Sequence, residues 1–557
     1  MVTTPSNNEV AHLLTRYGQL LELSGDGGFR VRAYYRAADV IVHHPESVAH
    51  LARQNRLTDL PGIGPAIASA VAEIIASGGL ASLTEIESHI PPTLIDLLAI
   101  PGVGTKTVSR LFLEHQIVDL PGLQAALIAG KLRGVPGFGA KTEAKILAGI
   151  DAISRRTGRM LLGTALPLAR RLVDAIQAEL PTATASLAGS VRRMEETVGD
   201  IDLVVADASP DNIRSAILGL PEVAATLETS ESWVRVRLIS GTEVDAYLTT
   251  PEQFGSTLVR ATGNVAHLKN LGILQDAGEE EDVYQRAGLP FIPAELRQGG
   301  SEFELARANK LDALITMEDI LGEFHCHTTW SDGTGSVGEM ADAARRRGYR
   351  FLGISDHSRS LGVANGLDEV RIREQRIDIN RANADSGIRV FAGAEVEVHR
   401  TGELDFAADV LGNLDVVIAS LHSGLRQPRR ALTDRLERVL RDGDVDIVAH
   451  PSGRLLERRE PGDFDWDRAL AVAAESGTAL EINADPARLD LSAEMAERAL
   501  AAGCLLTINC DAHHPDGFDN LEFGIATARK GGATPDRVLN CWSIDHIEEW
   551  LNSRASA

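Results

Sequence analysis

Past residue 320 two hydrophobic patterns alternate along the chain. Short apolar runs, too brief for helices, are separated by stretches of helical character. The first run closes on Phe324-His325-Cys326-His327. Others are Phe351 to Ile354 before Ser355-Asp356-His357, Val390 to Glu395, Val416 to His422, Val445 to His450, and Leu505 to Asn509 before Asp511 and His513. A seventh, Thr478 to Asn483, ends in an amide. Strands alternating with helices predict a parallel sheet, and repetition at this length predicts a closed barrel. Active sites of such barrels lie at the C-terminal ends of the strands, where His, Glu and Asp recur here. The pattern predicts a site for several metal ions.

The first half is patterned differently. Residues 1–150 read as short helices around three copies of one turn: Leu60-Pro61-Gly62-Ile63-Gly64, Ile100-Pro101-Gly102-Val103-Gly104 and Val135-Pro136-Gly137-Phe138-Gly139. Each turn precedes an amphipathic segment. Glycine admits positive φ and lets a phosphate approach the backbone, and helix-start N–H groups can then hold it. Lys106 and Lys141 lie near two of the helix starts. Three copies predict a helix-hairpin-helix region that grips the DNA backbone without reading sequence.

Residues 160–180 read as one helix, and from 185 to about 250 the period changes to two, as in Val234 to Leu238. Gly189-Ser190 and Arg193 precede Gly199-Asp200-Ile201-Asp202. Residues two apart on a strand face the same way, so Asp200 and Asp202 project together. A hairpin around Ser240-Gly241 brings Asp245 alongside. Three close carboxylates call for a divalent cation, and two such ions suit phosphoryl transfer. Ser190 and Arg193, read as lying on a turn, suit a triphosphate. Residues 276–282 read as an acidic patch, and Gln298 to Ser301 as a linker.

Composition adds limits. A chain of 557 residues holds several domains, and a net charge of −24 argues against a uniformly basic nucleic-acid binder. Residues 1–150 are nevertheless near neutral, with about as many basic as acidic side chains. The four cysteines show no paired spacing, the N-terminus has no secretory pattern, and no apolar run is long enough to span a membrane. These features predict a cytoplasmic protein with no membrane partner.

The glycine turns, the Gly-Ser, Arg and Gly-Asp-x-Asp order, and the His-rich strand ends together resemble the bacterial family X DNA polymerases that carry a C-terminal PHP (polymerase and histidinol phosphatase) domain. The resemblance covers nearly the whole chain. It implies a multidomain fold: an α-helical helix-hairpin-helix region, an α+β nucleotidyltransferase palm with a reduced thumb, and a distorted (β/α)7 PHP barrel. The expected parts are a DNA-binding domain at 1–82, fingers at 83–150 with two helix-hairpin-helix motifs, a palm at 151–250, a shortened thumb at 251–300, a linker at 301–320 and the PHP domain at 321–557.

By the same resemblance Asp200, Asp202 and Asp245 hold the catalytic Mg²⁺ or Mn²⁺, and Ser190, Arg193 and Gly199 meet the incoming triphosphate. Gly62, Gly64, Gly102, Gly104, Lys106, Gly137, Gly139 and Lys141 meet DNA. His325, His327, Glu395 and Asp511 hold one barrel ion; Glu395, His422 and His450 a second; Asp332, His357 and His513 a third. The ions expected are Zn²⁺ or Mn²⁺, up to three. Arg454 and His514 are further candidates for phosphate contacts, and Cys326 is expected to pack on the other side of its strand. The implied function is DNA repair: gap-filling polymerisation joined to a metal-dependent 3′-5′ exonuclease or abasic-site phosphodiesterase. The implied partners are gapped or nicked DNA and deoxynucleoside triphosphates, met by a monomer. Two other readings stay open: a PHP nuclease whose polymerase core only binds DNA, and a small-molecule phosphatase of the histidinol-phosphatase kind. The chain departs from the polymerase pattern at Arg260-Ala261, at Leu268, at Tyr247, and in the helix from Pro65, which has no lysine for Schiff-base chemistry.

Overall fold

The computed structural model describes residues 5–554, apart from residues 6, 26–27, 43, 45–46, 88, 99, 101–102, 133–141, 144–145 and 148–158. Gly102, Gly137, Gly139 and Lys141 therefore lie outside the described residues. The chain forms two compact units: residues 1–160, 167–185 and 199–248 in one, residues 161–166, 186–198 and 249–557 in the other.

The first unit begins with helices α1 (Asn7–Leu23), α2 (Phe29–Val42), α3 (Val48–Arg53), α4 (Pro65–Ser77), α5 (Ala81–Glu87), α6 (Leu94–Leu98), α7 (Thr105–His115) and α8 (Leu120–Ile128). Two glycine turns fold alike. Ile63 N–H donates to the Leu60 carbonyl at 3.1 Å, and Val103 N–H to the Ile100 carbonyl at 2.9 Å. Gly64 and Gly104 then cap α4 and α7. The apolar members Leu60, Ile63, Ile100 and Val103 are buried in one core with Leu14, Val71 and Leu111. That burial leaves the glycines outward: Gly62, Gly64 and Gly104 are exposed, as is Lys106. Gly62 has φ +83°, which only glycine adopts freely.

A long helix, Leu162–Glu179, fills the stretch expected to be helical. It leads to a five-stranded sheet of β1 (Thr184–Leu187), β2 (Ile201–Ala206), β3 (Val223–Thr229), β4 (Trp233–Leu238) and β5 (Glu243–Thr249), in the order β1-β2-β5-β4-β3. β4 and β5 are the expected hairpin, antiparallel, with Arg235 opposite Asp245.

In the second unit residues 302–314, expected as a linker, are packed. Phe303, Ala306, Leu311 and Leu314 share a core with Val259, Tyr284 and Ile292. Gln298 to Ser301 is a fitted turn: a Cβ on Gly299 would lie 2.3 Å from the Ala266 Cβ. The expected acidic patch at 276–282 is mostly solvent-facing, but one acidic member turns inward. Glu280 is buried and takes two hydrogen bonds from Arg192, at 2.8 and 2.6 Å, and one from the fully buried Arg297 at 2.5 Å. A buried carboxylate needs such partners, because desolvation otherwise outweighs burial.

Seven parallel strands follow: β6 (Gly322–Glu323), β7 (Phe351–Ile354), β8 (Arg389–Glu397), β9 (Val416–Ser420), β10 (Ile447–Val448), β11 (Ala479–Asn483) and β12 (Leu506–Asn509), adjacent in chain order. A parallel bridge between Cys326 and Ala512 joins the first strand's end to the last, so the barrel is nearly closed. Phe324, Phe351, Phe391, Ile418 and Ile447 form one apolar cluster, and the helices pack on another around Leu352, Val390 and Leu480. Strands covered on both sides read as continuous apolar runs. Cys326 is buried in the second cluster, as its alternation predicts.

Candidate active sites

Every barrel residue singled out in the sequence comes from a strand's C-terminal end or the loop just after it. His325 and His327 follow β6, His357 follows β7, Glu395 lies in β8, His422 follows β9, His450 follows β10, and Asp511 and His513 follow β12. Asp332 sits on the loop after His327. A Cβ on Gly333 would lie 2.4 Å from the His327 carbonyl, so only glycine lets that loop pass so close.

Four atoms converge: His325 Nε2, His327 Nε2, Glu395 Oε2 and Asp511 Oδ1. All are buried, and none has a hydrogen-bond partner outside this cluster of histidines and carboxylates. Glu395 Oε2 lies 3.6 Å from the His325 nitrogen and 3.7 Å from that of His327; Asp511 Oδ1 lies 3.5 and 3.0 Å from the same two. Tetrahedral ligands about 2.1 Å from an ion stand roughly 3.4 Å apart, so this set fits a divalent metal. The other Glu395 oxygen lies 3.0 Å from His450 Nε2 and 3.4 Å from His422 Nε2. Asp332 Oδ1 lies 3.6 Å from His357 Nε2 and 3.4 Å from His513 Nε2. His357 Nδ1 is also 2.6 Å from Glu395 Oε2, which links the third group to the first.

The electrostatics divide the ligands: against burial, which would lower them, neighbouring carboxylates raise His325, His357 and, to about 9, His513. Burial, with the charges of His357 and His513 beside it, pushes His327 down to about 4. Burial and Arg488 lower His450. Both are then neutral near pH 7, the form that binds metal. Against burial, which would raise them, the surrounding histidines hold Glu395 and Asp511 well below the ordinary carboxylate range. Asp511 and His450 also adopt positive φ, +53° and +28°. Such backbone strain clusters at functional sites, where the surrounding fold enforces it.

Residues not picked out from the sequence support this centre. Glu481, fully buried on β11, accepts from His325 Nδ1 at 2.7 Å and from the His450 N–H at 2.8 Å. Glu397 lies 2.9 Å from His422 Nδ1. Arg488 lies 3.6 Å from Asp511 Oδ2. The one sequence signal for Glu481 was a charged residue inside an otherwise apolar run. Arg454, expected as a phosphate contact, is spoken for: it donates to Glu196 at 2.6 Å and to the Arg488 carbonyl at 2.9 Å. His514 caps a turn, accepting from the Asp516 N–H at 3.1 Å.

In the first unit Asp202 lies on β2, Asp200 and Gly199 just before it, and Asp245 on the adjacent β5. Burial and then the charge of Asp245 raise the Asp200 carboxyl. Burial and then the charges of Asp202, Asp245 and Asp200 raise the Tyr247 phenol. Arg235 forks onto Asp245, Nε to Oδ1 and Nη2 to Oδ2, both 2.6 Å. In the second unit Ser190 lies on a short helix, Gly189–Arg192, and not on an open turn. Arg193 ends that helix and donates to the Thr262 carbonyl at 2.8 Å.

Helical hairpins built to hold a nucleic-acid backbone and a barrel with a multi-metal centre define a DNA-binding protein with a metal-dependent phosphoesterase domain. The comparisons agree. A helix-hairpin-helix domain model matches residues 5–80, a SAM-like helix-hairpin-helix tandem model residues 54–116 and 94–152, and a PHP domain model residues 323–485. DNA polymerase/3′-5′ exonuclease PolX of Bacillus subtilis (strain 168) is 36% identical over 567 residues, covering 98% of this chain and 99% of its own. The chain belongs to the bacterial family X DNA polymerases with a C-terminal PHP domain. More distant are probable phosphatases of Thermoanaerobacter sp. (strain X514), 25% identical over 41% of this chain and 94% of theirs, and Shewanella frigidimarina (strain NCIMB 400), 27% identical over 40% and 88%. Among the described residues, no single helix is long and apolar enough to cross a membrane.

Proposed function

We propose that this protein repairs DNA, removing nucleotides or abasic residues with its barrel and filling short gaps with its palm. One observation carries the reading: the buried atoms His325 Nε2, His327 Nε2 and Asp511 Oδ1 lie close enough together to share one ion, with Glu395 Oε2 beside both histidines. His422 and His450 complete a second ion site with Glu395; Asp332, His357 and His513 make a third. Zn²⁺ or Mn²⁺ suits these ligands. Bound there, such ions supply Lewis-acid polarisation of a phosphodiester and activation of water. The chain's own part is to hold His327 and His450 neutral and its carboxylates ionised, and to fix the rings of His325 and His422 through Glu481 and Glu397.

On this reading residues 1–150 hold gapped or nicked DNA through the N–H groups at the glycine turns, aided by Lys106 and Lys141. Asp200, Asp202 and Asp245 take Mg²⁺ or Mn²⁺, while Ser190, Arg193 and Gly199 meet the triphosphate. The parts divide at residues 82, 150, 250, 300 and 320, and the protein works as a monomer in the cytoplasm. The relative named as a DNA polymerase/3′-5′ exonuclease supports both activities and that polarity. A second reading, a nuclease whose palm only places DNA, is favoured by Arg235, which occupies both oxygens of Asp245.

A gapped duplex labelled on the primer strand, incubated with Mn²⁺ with and without nucleotides, tests both. Shortening reports the barrel, and it should vanish when His325 and His327 are changed to alanine. Lengthening reports the palm. It should be slow, and poorly selective between ribo- and deoxyribonucleotides, because Arg260 and Ala261 give the sugar no aromatic wall. Degradation by the double variant at the parent's rate refutes the barrel assignment.

A further inference from the structure

Resting on the palm reading above, we infer that Arg235 stands in for metal on Asp245 and must swing away before the palm can load an ion there. The β4–β5 register puts the two side chains directly opposite each other. Facing residues of an antiparallel pair have Cβ atoms about 5 Å apart, within easy reach of a guanidinium. The fork is complete, with two bonds of 2.6 Å, one to each oxygen. The planar guanidinium matches a carboxylate edge to edge, on the lone pairs a cation would use.

The two partners differ in surroundings. The Asp245 side chain is only 8% exposed, whereas that of Arg235 is 37% exposed. Arg235 can therefore turn out into water, giving up the fork and its place over the Trp233 ring, 5.2 Å from the centroid. Asp245 cannot be left behind alone, because a buried, unpaired carboxylate is strongly disfavoured. It keeps Arg235 until another cation replaces it. Asp200 and Asp202, just before the adjacent β2 and on it, are the further carboxylates that the palm reading assigns to this ion. Arg235 and the ion thus compete for one carboxylate, and the apparent metal affinity falls by the strength of the fork.

The next pair on the same face of this hairpin gives an internal control. Arg237 donates to Glu243 at 2.8 Å, and both are well exposed, 49% and 40%. Removing Arg237 deletes the same charge two residues away and frees no candidate ligand. A general charge effect would act through both arginines, whereas competition acts through Arg235 alone.

The test is Mn²⁺ binding to the full-length protein with its barrel preloaded with Zn²⁺, followed by the electron paramagnetic resonance of free Mn²⁺. The palm ion is the one lost on changing Asp200 and Asp202 to asparagine. Arg235→Gln should tighten it roughly fivefold, the upper range for a partly exposed ion pair, and Arg237→Gln less than about twofold. In the parent, Mg²⁺ should speed phenylglyoxal modification of Arg235, read by peptide mass mapping; this measurement holds even if the variant fails to fold. Unchanged or weaker Mn²⁺ binding in Arg235→Gln, or reactivity indifferent to Mg²⁺, overturns the inference. If no Mn²⁺ is lost in the asparagine variant, the palm reading itself falls; if it is lost but Arg235→Gln changes nothing, only the role of Arg235 falls.

Discussion

Glu481 is the sharpest test of how the barrel organises its metal centre. It is fully buried, and its two oxygens accept four hydrogen bonds. Oε1 takes His325 Nδ1 at 2.7 Å and Asn509 Nδ2 at 2.9 Å; Oε2 takes the His450 N–H at 2.8 Å and Asn483 Nδ2 at 3.1 Å. A proton on His325 Nδ1 leaves the lone pair on Nε2, the atom aimed at the candidate ion. Glu481→Gln keeps the volume but turns one oxygen into a donor. Whichever way the amide lies, its NH₂ faces two donors. If it faces His325, the imidazole must move its proton to Nε2 and lose its ligand lone pair. If it faces the His450 N–H, that donor is left buried and unpaired. Two unsatisfied buried donors cost about 2–6 kcal/mol of stability. Loss of such a supporting partner typically weakens metal binding about 10–100-fold. Metal content measured by mass spectrometry after dialysis against graded chelator reads the second figure, and calorimetric melting the first. A Glu481→Gln protein with the parent's metal affinity and melting temperature would refute the reasoning.

Three further outcomes are expected. Borohydride should trap no covalent adduct between an abasic 5′-deoxyribose phosphate and residues 1–82, since α4 (Pro65–Ser77) carries no lysine; a trapped peptide from this region refutes it. Deleting residues 1–150 should abolish most DNA binding, and binding by the whole chain should fall only gently with salt, because few phosphates are neutralised; equal binding by the truncated protein refutes it. Asp446, pushed up to about 6 by burial, prefers to be neutral in the fold, so its contribution is complete below the unfolded value of about 4 and fades as pH rises through 6. The parent should therefore lose melting temperature relative to Asp446→Asn between about pH 4 and 6; a difference independent of pH refutes this.

The sequence by itself determined the parts whose signal is local. A strand buried on both faces must be apolar along its length, so a His or carboxylate at its end stands out, and parallel strands put all such ends at one mouth. That is why His325, Glu395, His450 and Asp511 were legible although far apart in the chain. The turn from Leu60 to Gly64 was legible because its apolar residues and its glycines have opposite needs: burial for Leu60 and Ile63, and for Gly62 an exposed bend at positive φ. Only the tertiary structure decided what depends on which neighbour lies across a sheet or inside a core. Glu481 reads as one charge in an apolar run until β11 takes its place and turns it toward His325 and His450. Glu280 reads as part of a solvated acidic stretch until Arg192 and Arg297, from distant segments, close on it. Residues 302–314 fall in the stretch 301–320 read as a linker, yet Phe303, Ala306, Leu311 and Leu314 join a shared core. Arg235 reads as an ordinary strand residue until the hairpin register sets it against Asp245. Each of these contacts is a choice among many partners of the right charge, and only the folded chain's geometry makes that choice.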